Sequence, residues 1–181
     1  MEPNNKKIIG IQNSSNNCYL NSVVQLLCNI PELQSINYND DVVYKNFLDT
    51  YEEMYDVGTN IVDDESMLDI SSLKKSIVSC HSIYKGDQQQ DVHEILNIIL
   101  HHVHAGNSKG INYDVNSNEK TIIGYPVRKI IIYAAKKWYE DLNKEGESIV
   151  TKYLQGQIRS RLTCQICWKA VSYTHLRAHE T

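Results

Sequence analysis

No part of this chain stays apolar for long. Its longest such runs, typified by Ile95–Leu100, fall far short of the ~20 residues that a membrane-crossing helix needs. The opening MEPNNKKIIG has no apolar segment of the kind that makes a secretory signal. A basic excess is missing as well: 18 Lys+Arg stand against 22 Asp+Glu, for a net charge of −4. That balance excludes the basic stripe that tracks nucleic-acid phosphates, and it leaves room for a basic partner. A disulfide framework is not expected, because the five cysteines (Cys18, Cys28, Cys80, Cys164, Cys167) are odd in number and lack secretory context. They read as thiols or metal ligands in a reducing compartment, the cytoplasm or nucleus. There is no internal repeat and no low-complexity linker. With 41% hydrophobic and 22% charged residues over 181 positions, the chain is long enough for one ordinary domain with a sizeable core.

Residues 1–7 are expected to be a disordered start, followed by a short extended piece at Ile8–Ile11. In NSSNNCYLNSVVQLLCNIP, the apolar positions Leu20, Val23, Val24, Leu27 and Ile30 recur at helical spacing and Pro31 ends the run. The polar stretch Asn13–Asn17 then delivers Cys18 to the helix's first turn. A second helix is expected over Val42–Tyr55 and a shorter one over Ser71–Cys80. A fourth is read from Asp87, as N-cap three residues before Gln90, through Val92, Ile95, Leu96, Ile99 and Val103 to Gly106. Residues 107–121 read as a loop. IIGYPVRKIIIY, with its β-branched residues and Pro126, reads as a strand pair or extended segment. Helices over about 134–143 and 147–153 follow, and QIRSRLT alternates as a strand.

A thiol attacks as its thiolate, and the unpaired N–H groups and positive dipole end of a helix N-terminus favour that anion. The same N–H groups can serve as oxyanion donors. Cys18 has this placement, whereas Cys28, near Pro31 at the helix's other end, does not. The bland alternative for Cys18 is a buried small hydrophobe.

The residues around Cys18 go further. GIQNSSNNCYLNSVVQLL resembles the cysteine box of ubiquitin-specific proteases, G-L-x-N-x-G-N-T-C-Y-x-N-S-x-x-Q-x-L. Gly10, Asn13, Asn16, Cys18, Tyr19, Asn21, Ser22, Gln25 and Leu27 match in register. The resemblance implies an α+β, papain-like cysteine peptidase in which Cys18 attacks the carbonyl of ubiquitin's C-terminal glycine. Asn13 would then donate an amide hydrogen bond to the tetrahedral intermediate; its structural alternative is to cap a turn before the helix. The family's glycine is Ser15 here and its threonine is Asn17. Ser15 matters more, because glycine permits positive φ at that point.

GDQQQDVHEILNIIL resembles the second family marker, Q-Q-D-A-H-E-F-L before an apolar helix, with Gln89, Gln90, Asp91, His93, Glu94 and Leu96 in place. Asp91 and Glu94 lie one turn apart near the helix's positive end. The resemblance implies that they face ubiquitin's basic tail; dipole complementation alone is the alternative. His93 is expected to make a structural hydrogen bond and not to be the base. His101, His102 and His104 are read as a solvated helix end, lacking an accompanying carboxylate or cysteine at metal-site spacing.

Trp138, Ser148-Ile149-Val150, Gly156-Gln157, Ser160, Cys164 and Cys167 resemble the family's entry into its fingers subdomain. There Cys164 and Cys167 would be half of a structural zinc site, with unmetallated cysteines as the alternative. The final VSYTHLRAHET departs from the family pattern. Residues 169–181 are therefore expected to be a non-native tail, and residues 8–168 the N-terminal part of the catalytic domain. On this reading the helical thumb occupies about 8–106 and the remainder starts the palm and fingers. No residue matches the family's histidine box, so the chain as given is expected to be inactive. The function implied for the full-length protein is thiol-dependent deubiquitination, with ubiquitin or ubiquitinated proteins as partners. The rivals are a non-catalytic ubiquitin-binding scaffold of the same fold, a peptidase for another ubiquitin-like modifier, and a zinc-binding interaction module using Cys164 and Cys167, which would leave the first two motifs unexplained.

Overall fold

The computed structural model describes residues 9–35, 40–59, 67–110, 126–168 and 170–177. They belong to two units, one within residues 1–107 and the other within 108–181. The expected disordered start at 1–7 lies outside the described residues, as do 111–125 and 178–181.

The first unit is helical. Its α1 (Cys18–Leu27), α2 (Val42–Thr59), α3 (Ser71–Cys80) and α4 (Val92–Asn107) are accompanied by single 3₁₀ turns at Pro31–Ser35 and Ser82–Tyr84. In α1 the residues Leu20, Val23, Val24 and Leu27 follow the i, i+3, i+4, i+7 rule, and all four are buried. Val43, Tyr44, Phe47, Leu48 and Tyr51 of α2 do the same, as do Ile95, Ile99, Leu100 and Val103 of α4. Helix α1 packs on α4, and α2 packs on both α3 and α4. Each large side chain buried in this core contributes ~1.5–3 kcal/mol before the entropy of ordering is subtracted. Gly106 allows the closest approach, since a Cβ there would stand 2.5 Å from the Tyr44 ring.

Two expectations for this unit need correction. Helix α4 starts at Val92 and not near Asp87, because Asp91 is its cap: Asp91 Oδ1 accepts from the N–H of His93 at 2.6 Å and of Glu94 at 3.4 Å. Asp87 lies instead in the bend that follows Gly86, whose φ is +99°. The second correction concerns His102. It is not a solvated helix-end residue, for its side chain is only 12% exposed and its Nδ1 lies 2.8 Å from Asp41 Oδ2. On the other side its Nε2 is 3.2 Å from His81 Nε2.

Asp41 therefore serves two elements, since its Oδ1 also accepts from Tyr44 N–H in the first turn of α2 at 2.8 Å. Burial alone would raise its carboxyl. Hydrogen bonds from Tyr44 N–H and His102, the charge of the His102 ring and a further bond from Val43 N–H outweigh that and hold it below its usual value. Burial, followed by repulsion from His102 and His101, lowers His81. Acid should then weaken the fold in two steps. A depressed histidine resists protonation when folded, so stability falls as pH drops below the unfolded value of about 6.5. A depressed carboxyl gives stability that is present above about 3.9 and lost as pH falls through its lower folded value. Asp41→Ala should cost about 1–2 kcal/mol through the lost cap and remove the lower step. Urea midpoints between pH 8 and pH 3 read both effects, and a flat profile for the wild type would contradict them.

The second unit holds α5 (Pro126–Glu145), α6 (Ile149–Tyr153) and the antiparallel strands β1 (Gly156–Thr163) and β2 (Ala170–Arg177). The strands pair from Gly156 opposite Arg177 to Thr163 opposite Ala170. A strand pair or extended segment at IIGYPVRKIIIY is not what forms over 126–133, which is the first part of α5. Pro126 is tolerated there because the first helical residue needs no N–H donor and its φ suits a helix. The β-branched run Ile130–Ile132 then follows the helix it belongs to. Gly146, at φ +88°, lets the chain turn against Lys109, whose carbonyl oxygen would be 2.9 Å from any Cβ. Ser148 then caps α6 through a reciprocal pair with Thr151. No helix among the described residues is long and apolar enough to cross a membrane.

Candidate active site

The segment before α1 is fixed from both sides. Gln12 N–H donates to Leu68 O and Leu68 N–H to Gly10 O, each at 2.9 Å, so residues 10–12 run beside 67–69. Two side chains of α1 secure the connection, Gln25 Nε2 donating to Ile9 O at 2.6 Å and Asn21 Nδ2 to Gln12 O at 3.4 Å, while Ser22 Oγ donates within the helix to Cys18 O at 2.7 Å. These residues of the motif thus have structural roles.

Between them lies the loop 13–17. Asn13 Oδ1 accepts the N–H of Asn17 at 3.1 Å, which closes the turn, so the amide nitrogen is the donating group of this side chain. Positive φ falls on Asn16, at 30°, and not on Ser15. Asparagine tolerates this region far better than serine, so the loop passes Ser15 without the strain feared for it. Cys18 follows as the first residue of α1 and is exposed, whereas Cys28 is buried at 2%.

The second motif lies beside the first. Asn16 Nδ2 donates to Asp87 O at 2.9 Å, and the ring of Tyr19 packs on Tyr84 with centroids 6.2 Å apart. Lys74 of α3 joins both loops: its ammonium is 2.7 Å from Asn17 Oδ1, 3.2 Å from Gly86 O and 3.7 Å from the Asp87 carboxylate. The sequence reading missed Lys74, because nothing local marks a lysine whose partners are 57 and 12 residues away. It also missed Tyr84, whose phenol is pushed up to about 12 by burial and then by the Glu94 carboxylate. Tyr19 is raised for a similar reason, burial first and then the nearness of Cys18 and Asp87.

Asp91 and Glu94 sit in the exposed first turn of α4 with Asp91 capping, so dipole complementation is at work whatever else they do. His93 is exposed, its Nδ1 3.5 Å from Asn97 Nδ2. Cys164 and Cys167 are in the second unit, at the turn between β1 and β2, and both are exposed. Hydrogen bonds from the N–H groups of Cys167 and Ile166, then from the Cys167 side chain, pull the Cys164 thiol below its usual range. Among the described residues no group of three or more His, Cys, Asp or Glu is arranged to hold a metal.

The described site thus holds an exposed cysteine at a helix start, a loop before it closed by Asn13, and two exposed carboxylates at the start of α4. Residues 9–175 match the family described as ubiquitin carboxyl-terminal hydrolase. Ubiquitin carboxyl-terminal hydrolase Usp2 of Drosophila melanogaster is 25% identical over 177 residues, covering 88% of this chain and 17% of that protein. Hydrolase 12 of Saccharomyces cerevisiae is 25% identical over 175 residues, 87% of this chain and 14% of its own length. Hydrolase 19 of Rattus norvegicus is 25% identical over 170 residues, 88% and 12%. The chain thus spans less than a fifth of each of these three relatives. It belongs to the ubiquitin carboxyl-terminal hydrolase family.

Proposed function

We propose that the protein carrying this chain is a papain-like, thiol-dependent deubiquitinase that hydrolyses the bond after the C-terminal glycine of ubiquitin. The observation that carries this reading is the exposed Cys18 at the start of α1, with Asn13 held one turn before it. The Cys18 thiolate attacks the glycine carbonyl, and the Asn13 amide stabilises the oxygen that becomes negative. The C–N bond breaks, the leaving amine takes a proton from a histidine, and water then hydrolyses the thioester. Asp91 and Glu94 attract the basic tail of ubiquitin through their exposed carboxylates.

We assign the acid–base histidine and its orienting Asp or Asn to no residue of the chain, so residues 1–181 alone are proposed to give no turnover. Cys164 and Cys167 are proposed as two of the four ligands of a structural zinc. The N–H groups aimed at the Cys164 sulfur favour the thiolate that such a site needs. Bound zinc would hold the β1–β2 turn rigid. Residues 169–181 are still proposed to be non-native, and 8–168 to be the N-terminal part of the catalytic domain.

The test is covalent labelling of the protein at its natural length by ubiquitin with an electrophile at its C-terminus, beside other ubiquitin-like modifiers carrying the same group. Selective labelling by ubiquitin at Cys18 is expected. Ubiquitin binding without labelling would make it a scaffold, and preferential labelling by another modifier would change the substrate.

A further inference from the structure

Asparagine is among the strongest N-cap residues, because its side-chain oxygen accepts from the second or third N–H of the helix. Asn17 occupies the N-cap position of α1, yet its side chain makes no cap hydrogen bond. Its backbone, at φ −89° and ψ 11°, is not in the extended conformation of a capping residue, and its Oδ1 accepts instead from the Lys74 ammonium at 2.7 Å. Asn17 is buried, at 6% exposure, and Lys74 is held by two further acceptors, Gly86 O at 3.2 Å and the Asp87 carboxylate at 3.7 Å. An ammonium has three protons to place, and a half-buried one needs acceptors for them. This lysine has three acceptors, one of which is the Asn17 side-chain oxygen.

We infer that Lys74 is a positioning residue for the thiol chemistry: by holding the side chain of Asn17, the residue directly before Cys18, it fixes where α1 presents the thiol and its first N–H groups. It acts through Asn17, whose own N–H is bound to Asn13 Oδ1. The same contact therefore sets where the Asn13 amide stands. Through Gly86 and Asp87 it also fixes the loop before α4 against the nucleophile's loop, a tie that Asn16 reinforces. This inference rests on the reading of Cys18 as nucleophile.

The experiment is inactivation by electrophile-tipped ubiquitin, resolved into its maximal rate and half-saturating concentration, on the protein at its natural length. In Lys74→Met the Asn17 oxygen loses its donor and the loop before Cys18 loses its tie to α3. The maximal rate should fall about tenfold, the size of one lost hydrogen bond, with half-saturation unchanged within twofold. Lys74→Arg should stay near the wild type. Asn17→Ala alone should slow the maximal rate about as much, and adding it to Lys74→Met should cost no more than either single change, which a lysine acting elsewhere would not give. If Lys74→Met does not fold, Lys74→Gln, polar but one bond shorter, takes its place. A wild-type maximal rate in Lys74→Met, or in Lys74→Gln where that takes its place, overturns the inference. So does a loss confined to half-saturation, or a double variant whose loss is the product of the two single losses. A wild type that ubiquitin does not label at Cys18 fails the nucleophile reading instead, so the two failures are distinguishable.

Discussion

Alanine at position 18 should end ubiquitin hydrolysis by the protein at its natural length, a fall of roughly a million-fold that takes the rate to the assay floor. Members of a nucleophile–base unit lose about that much when the nucleophile alone is removed. The expectation falls on Cys18 and no other thiol because of where the cysteines sit. Cys28 is buried in the α1 end. Cys80 closes α3, at the end of a helix where the dipole disfavours an anion. Cys164 and Cys167 belong to the other unit. Ubiquitin affinity should survive Cys18→Ala within a fewfold, since Asp91, Glu94 and the α4 surface are untouched. Labelling that persists in the variant, mapped by mass spectrometry to another cysteine, would remove Cys18 from the mechanism.

The placement of Cys18 was legible because two local rules coincide there. The spacing of Leu20, Val23, Val24 and Leu27 marks a helix, and the polar run before it marks a loop, so a thiol between them must stand at a helix start. The bounds of α3 were legible on the same grounds and are as expected at Ser71 and Cys80. Apolar periodicity is strong evidence for where a helix runs. It says less about where the helix is capped, because several Asp residues compete for that role. Asp87 and Asp91 are four residues apart and both precede an apolar run; only the bend at Gly86 decides for Asp91.

The misreading of residues 126–133 has a different origin. Isoleucines favour strands when the sequence is judged by propensity, but a β-branched residue costs a helix only tenths of a kcal/mol, and Pro126 is harmless as the first helical residue. The contacts of Lys74 and of the Asp41–His102–His81 chain could not be read at all. Each joins elements that are distant along the chain, and a polar residue gives no periodic signal of its partner. The motif around Cys18 was thus visible locally, while the contacts that hold it in place depend on tertiary packing.

Asn13 decides whether that motif supplies an oxyanion donor or only a turn, and substitution can separate the two. Its Oδ1 accepts Asn17 N–H at 3.1 Å, which leaves its amide nitrogen as the group able to donate. Asn13→Ala removes both functions. The maximal rate of ubiquitin hydrolysis should fall about 10²–10³-fold, as when a single oxyanion donor is lost elsewhere, with KM nearly unchanged because the donor is needed most in the transition state. Asn13→Asp keeps the accepting oxygen and loses the donating N–H. If the amide donates to the oxyanion, the aspartate variant should be at least as slow as the alanine variant, and slower if its charge opposes the developing negative oxygen. Both variants should keep the wild-type melting temperature within a few degrees, for Asn13 is an exposed loop residue. An aspartate variant that turns over at the wild-type rate would reduce Asn13 to a turn-closing residue and leave the first N–H groups of α1 as the remaining donors.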